Sequence, residues 1–284
     1  MGVLFIFLSV CTNLLEGVLV KKNGEKNGNN VFWFNGFMAL ASMLFFVITK
    51  NGSLHFSKEL WLYAVPSAVC YCGALVCTYF ALADGPFAIS MMIISYSIVL
   101  PIIYGIVYLN EPTSVIIYIA LAIMAASLYL SRGNTATDSG KFSVKWLICI
   151  TLATVGSGGF AIVKKMQQLT FNEKCDNEFM IISLAITVVV LFALGLFATK
   201  NSIKSITKGT VLFSLAAGLS NGVTNMLTLL INTVMVLSLS SPISTGMRIV
   251  LSFMVSSLFL KEKFLKRQII GAALGAASLI MLSI

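Results

Sequence analysis

Charge is what this chain has least of. Asp, Glu, Lys and Arg make up 10% of its residues, where a soluble domain carries about 25%. With 58% hydrophobic residues and a mean hydropathy of +0.96, its surface is too apolar for water, and lipid is the expected solvent. Histidine is nearly absent: the one residue, His55, falls in a short loop. Five of the six cysteines (Cys11, Cys70, Cys72, Cys77 and Cys149) fall in apolar runs and only Cys175 in a loop. These scarcities exclude a disulfide framework and a His/Cys ligand cluster, so no metal and no cofactor is expected. There is no Ser/His/Asp grouping and no glycine-rich phosphate loop beside a lysine in a soluble segment, so no enzyme is expected. The first apolar run lacks a positive n-region, and Glu16 followed by Lys21-Lys22 is a poor cleavage site, so no cleavable signal peptide is expected.

What remains is long charge-free runs. A membrane-spanning helix needs about 20 apolar residues, and most of the runs are one helix long. The 39-residue run 209–247 must hold one span and the start of the next. Its turn is expected near Asn232 to Pro242, with Pro242 suited to a first helical turn. The chain thus reads as all-α, with ten spans at roughly 3–20, 31–49, 60–83, 87–109, 113–131, 144–163, 178–199, 209–233, 240–260 and 266–283. The net charge of +9 then reflects orientation and not a nucleic-acid footprint. Apart from Arg248, the Lys and Arg residues sit in loops or at span ends, thirteen on one face and five on the other. The positive-inside rule makes the richer face cytoplasmic and puts both termini outside.

Shifted by 151 residues, the chain repeats its own ending. Leu109-Asn110-Glu111-Pro112 matches Leu260-Lys261-Glu262-Lys263, and Ile123-Met124-Ala125-Ala126-Ser127-Leu128 matches Leu274-Gly275-Ala276-Ala277-Ser278-Leu279. A second register sets Val20-Lys21-Lys22 against Val163-Lys164-Lys165. Two five-span halves follow, residues 1–131 and 144–284, joined by the polar loop 132–143. Because five is odd, the second half enters the membrane in the opposite sense, giving two inverted five-helix repeats.

Ten spans, paired five-helix repeats and a Glu-bearing turn before a small-residue last helix in each half resemble the drug/metabolite transporter superfamily, in its EamA-type branch. The resemblance covers essentially the whole chain. It implies a central substrate cavity between halves, alternating access without an ATP-binding domain, and export of a small polar or amphipathic metabolite such as an amino acid across the bacterial inner membrane. It also implies cytoplasmic termini, the reverse of the charge count. Two other readings stand beside it: an importer of a sugar or uncharged metabolite on the same architecture, and a non-transporting membrane scaffold or lipid-related protein.

Polar residues at mid-membrane depth are the candidate site. A charge there costs from about 2.5 kcal/mol upward, so it seldom faces lipid. Arg248 lies roughly 18–20 Å from the end of its span at the helical rise, and its guanidinium suits a carboxylate. Asn221 and Tyr71 lie roughly 20 Å deep, with Asn225 and Thr228 on nearly the same face as Asn221, and Tyr96 and Ser97 lie roughly 15 Å deep ahead of Pro101. Arg248, Asn221, Asn225, Tyr71, Tyr96 and Ser97 are therefore the expected substrate-binding residues, although Asn, Ser and Thr also join membrane helices to one another. Glu16, with Asn13 on its flank, is the expected proton-coupling group. It lies only roughly 7–8 Å from the span end expected near Lys21, close enough to snorkel, and its counterpart in the second half is Gly159. Glu111 and Glu262 read as helix caps. Gly271 and Gly275, and the run Gly156 to Gly159, read as faces of close helix approach.

Overall fold

The computed structural model describes residues 2–26, 30–49, 57–108, 114–130, 143–171, 175–198, 206–234 and 237–281. The regular elements among them are helices: α1 (Gly2–Lys26), α2 (Val31–Thr49), α3 (Leu60–Asp84), α4 (Phe87–Ser95), α5 (Val99–Tyr108), α6 (Val115–Leu130), α7 (Val144–Phe171), α8 (Asp176–Ala198), α9 (Lys208–Val234), α10 (Leu237–Phe259) and α11 (Lys266–Met281). A helix lies over each of the ten apolar segments, the fourth being split. Six stretches, in α1, α2, α3, α4–α5, α7 and α8, are long and apolar enough to cross a membrane, and shorter apolar helices cover Val115–Ser127 and Ile243–Phe259. Large apolar side chains face outward, Leu62 at 74% and Phe197 at 87% exposure. Such a surface belongs to a multi-pass membrane protein, whose helices satisfy their backbone groups internally. His55, Glu111 and residues 132–142 lie outside the described residues, as do the side chains of Asn232, Ser241 and Pro242.

Besides α7, which runs on to Phe171 where the expected span ended at 163, three features differ from expectation. First, α1 runs on to Lys26, which puts Glu16 roughly 15 Å from that helix end at the helical rise. Lys21, where the span end was expected, lies within the helix. Second, α10 starts at Leu237, so Pro242 sits in its second turn. Third, the fourth segment breaks into α4 and α5 at a 3₁₀ turn, Tyr96–Ile98. Pro101 has no N–H to donate to the carbonyl of Ser97, four residues back, and the Ser95 hydroxyl donates to Met91 O at 2.7 Å, both of which loosen the ladder there. A Cβ at Gly158 of α7 would come within 2.9 Å of that Ser97 carbonyl, so glycine leaves the room it needs.

Packing between the helices of the two halves expected from sequence is reciprocal. Helix α1 packs on α9 and α3 on α7; α2 packs on α9 and α3 on α8; α1 packs on α10 and α4–α5 on α7. The pairs α2–α8, α4–α10 and α6–α11 each join one helix to the helix at the same place in the other half. The glycine run expected to permit close approach does so: Gly156 lies against Cys70 O and Ala74, and Gly159 against Cys70 Sγ, bringing α7 onto α3. Within the halves the packing is unequal. Among the described residues α1 packs on α3 and α10 on α11, with no comparable packing of α7 on α9 or α5 on α6.

One end of the bundle is tied by polar groups. Asn23 Nδ2 donates to Asn30 Oδ1 at 3.0 Å and to the Tyr79 hydroxyl at 2.7 Å, while Asn30 Nδ2 donates to Thr210 Oγ1 at 3.0 Å. The four side chains come from α1, the start of α2, α3 and α9, and all are buried. Lys21, expected at a solvated span end, is instead 7% exposed. Its ammonium donates to Gly85 O at 2.8 Å and pairs with Glu262 at 3.1 Å. The Glu262 carboxylate also accepts the backbone N–H of Phe87 at 2.9 Å and the Ser256 hydroxyl. Glu262 is a cap, as expected, but of α4 in the other half. Lys261, with φ of 56°, reverses the chain after α10 to aim it there. At this end Asn30→Ala is expected to cost about 1–3 kcal/mol, because Asn23, Tyr79 and Thr210 would lose partners while buried. The thermal midpoint of the purified protein would show it.

Candidate functional site

Mid-length residues of five helices converge beside α1. Asn221 is the hub. Its Nδ2 donates to Glu16 Oε2 at 3.1 Å, and its Oδ1 accepts from Ser42 Oγ at 2.9 Å, Asn225 Nδ2 at 3.1 Å and the Tyr71 hydroxyl at 3.2 Å. The placement follows from helix geometry: Asn221 and Asn225 are four apart and share a face of α9, which lies against both α1 and α2. Asn225 also donates to Asn221 O at 3.0 Å, so its amide is held over the hub. Glu16 brings the one carboxylate, from the face of α1 that meets α3, α9 and α10.

Arg248 stands at the middle of α10, and its charge interacts with that of Glu16. The two form no N–O contact within 4 Å among the described ion pairs. Arg248 Nε is buried without a hydrogen-bond partner, and so is Asn13 Oδ1, one turn before Glu16. A buried donor and a buried acceptor both left open are costly and call for an occupant. The walls differ in kind. Glu16, Asn221, Asn225 and Arg248 are polar, whereas Tyr71 packs against Phe160 of α7 with ring centroids 5.1 Å apart and the rings tilted by 38°. The arrangement offers a guanidinium, a carboxylate and amides beside an aromatic face, which suits a small molecule with charged or polar ends and an apolar body.

Of the residues expected from sequence, Arg248, Asn221, Asn225, Tyr71 and Glu16 interact in this one region, and Asn13 lies one turn before Glu16 on α1. Tyr96 and Ser97 do not join it. The Tyr96 hydroxyl shares a 2.7 Å hydrogen bond with Ser127 Oγ, which donates to Gly271 O at 2.6 Å, and a Cβ at Gly275 would overlap that hydroxyl. Tyr96 thus joins the α4–α5 break to α6 and α11, with Gly275 providing the close approach and Gly271 the accepting carbonyl. Ser97 lies against α7 at Gly158. Thr228 bonds back to Thr224 O at 2.8 Å within its own helix. Tyr96→Phe is therefore expected to cost about 1 kcal/mol of stability, the worth of one buried hydrogen bond, and to leave ligand-induced stabilisation of the protein unchanged; thermal melts with and without ligand measure both. Sequence reasoning missed Ser42, Thr12 and Thr224, the last two sharing a 2.7 Å hydrogen bond between α1 and α9. Counting depth along the second span finds Ser42; the threonines carried no signal that separates them from helix glue.

No family model and no curated protein matches the chain. Solved structures do resemble it: a crystal structure of a protein superposes with a TM-score of 0.67 over 99% of this chain and 95% of the other, at 14% identity. At that identity the likeness is one of fold alone.

Proposed function

We propose that the chain is a secondary transporter of the drug/metabolite type, with ten spans in two inverted five-helix repeats and a central site between them. The reciprocal packing supports the repeats. Exchanging each helix with the one at the same place in the other half carries α1–α9 into α3–α7 and α2–α9 into α3–α8. The unequal packing within halves supports alternating access, in which two related units hold different conformations and exchange them. The end tied by Lys21 and Glu262 is the closed one in this account. At the other end, where α7 stops and α8 starts, Gln167 is fully buried with neither amide atom bonded.

One observation carries the reading: a carboxylate and an arginine lie within electrostatic reach of each other among apolar helices with no described ion-pair contact, and the arginine Nε is left without a partner. Burying charges in this way is costly unless something completes them. The occupant is a small polar or amphipathic metabolite, an amino acid being the nearest fit: its carboxylate meets Arg248 and its body meets Tyr71 and Phe160. Glu16 couples its movement to protons. The direction is export and the location the bacterial inner membrane. The test is gradient-driven flux in reconstituted vesicles against a panel of amino acids and sugars. Amino-acid flux supports the reading, flux of sugars alone replaces it with the importer, and no flux with any compound removes it. Topology is tested by reporter fusions after Ile284: activity only outside the cytoplasm agrees with the charge split, and activity only in the cytoplasm overturns it.

A further inference from the structure

We propose that Asn221 is a positioning residue that relays the protonation state of Glu16 to Tyr71 and Ser42 by turning its side-chain amide. The inference rests on the transport reading for its use, but its test does not depend on transport.

An ionised carboxylate can only accept hydrogen bonds, so Glu16 fixes the amide with Nδ2 toward itself, at 3.1 Å. That orientation crowds the opposite side. Three donors, Ser42 Oγ at 2.9 Å, Asn225 Nδ2 at 3.1 Å and the Tyr71 hydroxyl at 3.2 Å, share one carbonyl oxygen, which has two lone pairs. The arrangement is held by the bond to the carboxylate, because a hydrogen bond to an ionised acceptor is roughly twice as strong as a neutral one. The groups that face Glu16 bear this out as a local device. Arg248 from α10 and Tyr71 from α3 interact with it electrostatically and Asn221 meets it from α9, while α4 meets α1 at Gly17 through the apolar Phe87 and Met91.

When Glu16 takes a proton from water, the charge that held the amide is gone and the carboxyl carries an O–H that needs an acceptor. A half-turn of the amide supplies one: Oδ1 then accepts from Glu16, and the two N–H groups face the oxygens of Ser42 and Tyr71. Both hydroxyls change from donors to acceptors, and their hydrogens are released toward the site. The turn also gives up the Asn225 Nδ2 bond to Oδ1, and Asn225 keeps its bond to the Asn221 backbone carbonyl. One proton on α1 thus rewrites the hydrogen bonding of α2 and α3, and Tyr71 carries the change to Phe160 of α7. In this way an empty or loaded site is primed with a phenolic donor only when Glu16 is protonated.

The test is infrared difference spectroscopy of the full chain in vesicles, titrated with acid in the absence of any substrate. In the unsubstituted protein a protonated-carboxyl band should grow on acidification, together with a tyrosine ring-mode change and, after isotope labelling of asparagine side chains, a shift in the amide band. Glu16→Gln should lose all three. Tyr71→Phe should lose the tyrosine change and keep the carboxyl band, and Asn221→Leu should keep the carboxyl band and lose the tyrosine change. A carboxyl band that titrates while the tyrosine and amide bands stay silent overturns the relay, in the unsubstituted protein and without need of any variant. A tyrosine change that survives in Asn221→Leu overturns it too. Intact spectra with no flux of any compound would remove the transport reading and leave the relay standing.

Discussion

Replacing Arg248 with alanine or lysine is expected to abolish flux of a carboxylate-bearing substrate while the protein still inserts and purifies. Truncating one partner of a desolvated charge pair costs about 2–5 kcal/mol, which corresponds to a loss of roughly 30-fold or more. Lysine does not rescue the loss, because its ammonium is a point charge and lacks the planar fork that pairs with both carboxylate oxygens. The guanidinium also supplies the positive charge that interacts with Glu16, so alanine leaves the carboxylate with the Asn221 amide as its described hydrogen-bond donor. Flux assays on both variants, beside thermal melts, separate the two roles an intramembrane arginine can have. Loss of flux with an intact melt assigns Arg248 to the substrate; collapse of the fold in both assigns it to the bundle. Normal flux in Arg248→Ala would remove the anchor altogether.

The second large effect is expected at the tied end. Glu262→Ala leaves the Lys21 ammonium buried with Gly85 O and the half-exposed Glu25 at 3.5 Å, and deprives the first turn of α4 of its acceptor. Removing one member of a buried ion pair costs about 3–5 kcal/mol. The lower end of that range is expected, because Lys21 keeps two of its contacts. Glu262→Gln should cost less, since its amide oxygen still accepts from Phe87 N. The loss is local to the end of α1 and the start of α4, so hydrogen exchange in those segments should rise in Glu262→Ala while α8 stays protected. Unchanged exchange there would mean that packing alone closes this end.

The difference between what was legible in the sequence and what was not has physical causes. Helix positions follow from charge-free length, because a span must be apolar for its whole depth. Periodicity within one helix put Asn221 and Asn225 on one face, and depth counting put Arg248, Asn221 and Tyr71 at one level. Both arguments use the rise of a single helix, and both end where two helices meet. Tyr96 shows the limit: its depth suits the site, but whether it lines a cavity or bonds to Ser127 on α6 depends on how α4–α5 turns against α6 and α11. The depth of Glu16 was counted from Lys21-Lys22, which looked like a span end; α1 runs on past it, and buried Lys21 finds its partners in Glu262 and Gly85, distant in sequence. Ser42 carries no charge, and although depth along its span singles it out, only the amide of Asn221 on another helix gives it a role at the site.

The most direct measurement is pH-gradient-driven accumulation by the unsubstituted protein and Glu16→Gln in matched vesicles, with substrate exchange at zero gradient measured alongside. Glutamine keeps the shape of the side chain and its contact with Asn221 but cannot take up and release a proton. If Glu16 couples the substrate site to protons, Glu16→Gln loses gradient-driven accumulation and keeps exchange within a few-fold of the unsubstituted rate. Accumulation that persists undiminished in Glu16→Gln would contradict the account.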